Sequence, residues 1–166
     1  SPKSTQPVTS DPITIPTARN SSMAGMRTRA ASSDAATATA SSAPIAVEAQ
    51  VYLRQPDPAL ATRYLDATSR YLRMYNELIG AYPYEKFALV ENFWETGYGM
   101  PSYTLLGPQI IRFPFILTSS YPHEILHNWW GNSVYVDYLT GNWCEGLTAY
   151  LADHLMKEIE GQGAEY

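Results

Sequence analysis

Two histidines four residues apart, in the run His123-Glu124-Ile125-Leu126-His127, constrain this chain more than any other feature. On an α-helix, such residues lie about 40° apart around the axis and about 6 Å apart along it. Both imidazoles then project from one helical face and can reach a single metal ion. The glutamate after the first histidine points beside that ion, where its carboxylate can take a proton from a bound water. A third ligand from a separate segment completes a catalytic zinc site with one open position. Glu145, in the segment Asn142-Trp143-Cys144-Glu145-Gly146, is the candidate. The pattern predicts one Zn2+ held by His123, His127 and Glu145, with Glu124 as the general base. It also demands two closely packed helices, and Gly146 and Ala149 are small enough to allow their approach. The competing reading is a buried polar cluster of two histidines and two acids, which is costly to desolvate without a cation between them.

The chain has room for such a fold. Its 166 residues can bury a real core, and a composition 45% hydrophobic and 13% aromatic suits packing rather than disorder. Charge divides unevenly: residues 1–44 carry four basic and two acidic side chains, the rest seven and fourteen. The acidic remainder argues against nucleic acid or an anionic membrane as the main partner. The HExxH pattern, read as that of a zinc hydrolase and in particular a peptidase, makes a peptide the expected partner. The single cysteine, Cys144, excludes an internal disulfide. No apolar run approaches the ~20 residues of a membrane span, and no signal segment is visible, so localisation stays open.

Residues 1–44 are rich in Ser, Thr, Ala and Pro and read as a flexible tail or linker. From Ile45 to Leu53 apolar and polar residues alternate as in a half-buried strand. Asp57-Pro58 then opens a helix, with a capping carboxylate and proline at the first helical position. Apolar residues recur at helical spacing from Leu60 to Ile79, and Gly80 supplies the stop. Phe87–Val90 reads as a buried strand, and a glycine-punctuated loop through Gly97, Gly99 and Pro101 leads to a second extended piece at 102–106. The apolar stretch 109–117, broken by Pro114, reads as an edge strand or irregular segment. Ser119 or Ser120 can cap the metal helix, which Gly131-Asn132 closes. A brief extended stretch at 134–138 and a last helix from about Asn142 to Glu160 complete the layout. The fold class expected is α+β, a mixed sheet packed against the metal helix and the helix that follows.

Other residues read more plainly. Cys144, next to the proposed ligand, should point elsewhere on its helix and into the core. His154 reads as a surface or boundary residue. Trp129 and Trp130 pack the metal helix on the sheet. Asp137 and Asp153 could stand behind the histidines, but ordinary solvated acids are the simpler reading.

The runs HEILHNWWGN and NWCEGLTAYL together resemble the membrane alanyl aminopeptidase family of zinc metallopeptidases. There HExxH precedes a Gln-Trp-Phe-Gly-Asn-like run, and an Asn-Glu-Gly segment carries the third ligand. The upstream GAYPYEKFALV is also similar to that family. The resemblance covers about residues 45–166. It implies a thermolysin-like catalytic domain, present as a fragment over 56–166. Residues 45–55 would be the last strand of a preceding β domain. It implies His123, His127 and Glu145 as ligands, Glu124 as base, and peptide-bond hydrolysis of the aminopeptidase kind through a Glu-activated, zinc-bound water. Gly99 and Met100 fall at the family's Gly-x-Met-Glu-Asn substrate motif. The chain departs from it there: Pro101 and Ser102 replace the amine-anchoring glutamate and the asparagine. Glu91 or Glu95 would have to supply the missing anion. Seventeen residues, rather than the usual eighteen, separate His127 from Glu145, and the family's transition-state tyrosine lies several dozen residues beyond the third ligand. The alternative is a noncatalytic or truncated zinc-binding module that binds peptides without turnover.

Overall fold

A computed structural model of the chain describes residues 7–9, 11–15 and 45–164. Its sheet is mixed and lies against helices, so the class is α+β. Strand β3 (Ile45–Tyr52) alternates as its sequence requires, with Val47, Ala49 and Val51 inward and fully buried. It runs parallel to β4 (Lys86–Glu91), which runs parallel to β6 (Tyr103–Leu106). The far edge is β5 (Gly97–Met100), antiparallel to β6. β3 is therefore hydrogen-bonded into the same sheet as the strands nearest the metal helix.

Two further strands, β1 (Val8–Thr9) and β2 (Ile13–Ile15), lie antiparallel along the other edge of β3. Both fall inside the segment expected to be a tail. The physical reason is local: Ile13 is one of the few large apolar residues there, and it is buried in the core. An open strand edge and a buried isoleucine together outweigh the ordering entropy of a short stretch. The rest of the expected tail lies outside the described residues.

Helix α1 (Pro58–Leu78) begins as predicted, the Asp57 carboxylate accepting the Leu60 N–H at 2.9 Å. Its buried face carries Tyr64, Tyr71, Leu72 and Tyr75. Each buried phenol has a carbonyl partner beyond the helix: Tyr64 donates to Ile111, Tyr71 to Leu117 and Tyr75 to Leu151. These bonds pin the irregular stretch 110–118, which forms 3-10 turns at Ile110–Arg112 and Pro114–Thr118 rather than an edge strand. Pro114 and the free carbonyls explain the outcome, because α1 supplies the donors that a neighbouring strand would otherwise provide.

Helix α2 (Ser120–Leu126), expected from the sequence to be the metal helix, is short, and His127 sits at its C-cap. Ser119 is the N-cap residue, but its hydroxyl bonds back to Phe115 instead of capping. The expected strand at 134–138 is reduced to one bridge between Trp130 and Val134. The last helix comprises α3 (Trp143–Ala149), a π-helical turn (Tyr150–His154) and α4 (Leu155–Ile159). The glycine-punctuated loop is strand β5, and its glycines are explained by what lies against it.

Candidate metal centre

α2 packs against both α3 and the edge strand β5, which brings its two histidines to Glu145. His123 Nε2 lies 3.3 Å from one Glu145 carboxylate oxygen, and His127 Nε2 lies 3.6 Å from the other. One donor atom from each of the three residues falls within 4.8 Å of the others. Donors bound tetrahedrally to zinc at about 2.0–2.1 Å stand about 3.3–3.4 Å apart. The two glutamate–histidine distances are close to those of neighbouring zinc donors, and a donor set of two imidazoles and a carboxylate suits zinc.

The second nitrogen of each ring supports this reading. His127 Nδ1 is 3.1 Å from the Trp130 carbonyl, so that nitrogen donates its proton and Nε2 keeps the lone pair. His123 Nδ1 faces an Asp153 carboxylate oxygen at 3.7 Å, beyond a direct hydrogen bond but placed behind the ring. Asp153 reaches that place through the π turn. Eight α-helical residues after Glu145 would leave it about 80° off the Glu145 face, whereas a π turn advances only roughly 80° per residue and rotates it back.

Glu124 lies beside the triad in a cleft of about 350 Å³ whose walls include Gly97, Tyr98, Gly99, Asn132 and Tyr138. Burial is the main reason its carboxyl is pushed above the ordinary range, and Glu145 adds to the effect. The nearby His127 and the Gly99 N–H oppose it. Gly99 has to be glycine. A Cβ there would stand 2.8 Å from His127 Cβ and 2.9 Å from both the Glu124 backbone oxygen and a Glu124 carboxylate oxygen. Strand β5 can approach the metal helix only without a side chain at that point.

Of the residues singled out from sequence, His123, Glu124, His127, Glu145 and Gly99 converge on this cleft, whereas Met100 is not among its lining residues. Neither proposed substitute anion reaches it. Glu91 is buried, accepting from Arg112 at 2.6 Å and from the Arg54 N–H at 2.8 Å. Glu95 accepts from the backbone N–H of Gln109 and Ile110, at the start of the first 3-10 turn. Cys144 does not point away from the site as expected. It lines the cleft, with Sγ 3.7 Å from His127 Nδ1, on the side of the ring away from Nε2. The two helices approach so closely that adjacent positions on α3 both reach α2. Tyr98, Tyr138 and Asn132 escaped the sequence reading, since nothing in their spacing marks a cleft wall.

No protein-family model matches the chain, and no curated protein does. Solved structures do. An M1 zinc metallopeptidase from Deinococcus radiodurans matches 95% of the chain with a TM-score of 0.56 and 17% identity. A two-domain variant M1 zinc metallopeptidase bound to L-arginine matches 94% with a TM-score of 0.57 and 15% identity. Yeast LTA4 hydrolase matches 69% with a TM-score of 0.54 and 20% identity. The chain spans 29% of the length of each of the first two and 19% of the third. At these identities the likeness shows a shared fold with part of those zinc metallopeptidases.

Proposed function

We propose that this chain carries the metal centre of a zinc-dependent metallopeptidase of the M1, aminopeptidase-like kind, built on a thermolysin-like catalytic fold. The observation that carries the reading is the approach of Glu145 to both His123 and His127, at 3.3 and 3.6 Å, with a half-buried Glu124 beside them. Zinc held by these three side chains would polarise a scissile carbonyl and acidify a water. Glu124, its carboxyl raised by burial, would take the water's proton and pass it to the leaving amine. The Gly99 N–H orients that carboxylate. Tyr98 and Tyr138 place phenols on the cleft walls, where either can donate to a developing oxyanion.

A second reading, a zinc-binding module that holds peptides without turnover, draws on one observation. The turn at Pro101-Ser102 offers no carboxylate, and Glu124 and Glu145 are the only carboxylates lining the cleft among the described residues. The deciding experiment compares hydrolysis of peptides with free and acetylated N-termini by wild type and Glu124→Gln, with zinc content measured in parallel. The expected result is one zinc per chain in both proteins, chelator-sensitive cleavage by wild type, and a loss of about 10²–10⁴-fold in Glu124→Gln. Zinc binding with no cleavage of either peptide establishes the noncatalytic reading. Cleavage confined to the acetylated peptide replaces aminopeptidase action with endopeptidase action.

A further inference from the structure

Strand β5 is the element of the cleft with the least sequence support, yet its position on the metal helix is tightly specified. Asn128, immediately after His127, is fully buried. Its Oδ1 accepts the Ser102 N–H at 2.9 Å and the Tyr82 hydroxyl at 3.3 Å, while its Nδ2 donates to the Ile125 carbonyl at 2.8 Å. Four residues on, Asn132 Nδ2 donates to the Gly99 carbonyl at 3.3 Å. Asn132 is itself fixed, its N–H bonded to the His127 carbonyl at 3.0 Å and its carbonyl receiving the Tyr84 hydroxyl at 2.7 Å. Two asparagines on the segment leaving the metal helix therefore grip the β5–β6 hairpin at both ends of its turn side.

The hairpin turn needs such a grip. Ser102 follows Pro101 and has φ 68, the order of a type II turn, which ordinarily places Gly or Asn at that position. A serine held there costs backbone strain, and the Asn128 bond and the Lys86 ammonium on its hydroxyl at 3.0 Å offset it.

We infer that Asn128 and Asn132 are positioning residues that set the register of β5 on the metal helix and so hold Gly99 against the Glu124 carboxylate. Asn128 is sealed from the cleft, and Asn132, although on its wall, spends its side-chain amide on the Gly99 carbonyl. They act through the strand. This rests on the peptidase reading for its consequence in catalysis, but the clasp itself is a property of the fold.

The test is Asn132→Asp, which keeps shape but replaces the donor facing Gly99 with an acceptor, alongside Ser102→Gly, which relieves the turn and keeps its N–H. Hydrogen exchange is read over residues 97–102, with zinc stoichiometry and, on any peptide that wild type cleaves, kcat and KM. Asn132→Asp is expected to keep its circular dichroism and one zinc per chain. Its 97–102 amides should exchange about ten-fold faster, the scale of one lost hydrogen bond, and kcat should fall with KM nearly unchanged. Ser102→Gly should keep wild-type protection. Unchanged exchange over 97–102 in Asn132→Asp overturns the inference, as does a loss confined to KM. Asn128→Ala serves as the second variant, with the same exchange result expected in whatever fraction stays folded. If wild type cleaves no peptide, the peptidase reading fails while exchange still decides the clasp.

Discussion

Two halves of this molecule treat their polar groups in opposite ways. Around α1, the buried phenols of Tyr64, Tyr71 and Tyr75 each end on a carbonyl, and burial pushes their ionisation up and leaves no charge to solvate. Across α2 and α3, His123, His127, Glu124 and Glu145 crowd one cleft, and the Glu145 side chain is 56% exposed. The first half is a satisfied core and gains stability from every member. The second gathers lone pairs and negative charge onto one point, which is unfavourable unless a cation joins them. Stability and chemistry are thus made in different places, and that separation can be tested.

The largest effect should come from the core. Leu72→Ala removes a fully buried side chain and should cost about 2–5 kcal/mol, measured by urea unfolding of the metal-free protein. Glu145→Ala should leave that unfolding midpoint no lower than wild type, yet abolish stoichiometric zinc binding. A parallel loss of stability in both variants would erase the contrast. Asp153→Asn should keep the fold and weaken zinc binding about 10–100-fold in a competition titration, since it removes the carboxylate behind His123. Unaltered affinity would make Asp153 an ordinary solvated acid.

The smallest effect concerns Glu124. Its carboxyl is raised in the folded state, so the native protein binds the proton more tightly than the unfolded chain does. Stability then falls as pH rises from the ordinary carboxylate range through the raised value, and stays lower above it. Metal-free Glu124→Gln should therefore melt higher than wild type at neutral pH. The gap should close on acidification to pH ~4 and below, where the wild-type carboxyl is protonated in both states. Melting scans across that range check the sign.

The difference between the halves also explains what could be read in advance. The start of α1 was legible because Asp57-Pro58 is a local signal with a local mechanism, and the side-chain cap forms as written. The alternation of β3 and the apolar run of β4 carried their own burial pattern. β5 was not legible, because Gly97 and Gly99 weaken strand propensity and their purpose lies in the helix that presses on them. The stretch 109–117 stays open between an edge strand and an irregular segment for a related reason: its apolar residues fit either, and the irregular form is settled by phenols dozens of residues earlier. Cys144 was placed by helical spacing alone, which says nothing of how near the next helix comes.

By itself the sequence determined the chemical inventory: two imidazoles on one helical face, a carboxylate between them, and a second glutamate at the start of a later helix. Helical periodicity suffices for that, since it is a property of neighbouring residues. Only the tertiary structure decided that Glu145 meets both rings, that Asp153 swings behind His123 on a π turn, and that β5 lies against Glu124 through Gly99, which has no side chain. Those depend on distances between segments far apart in the chain, which are set by packing and by hydrogen bonds no local rule specifies.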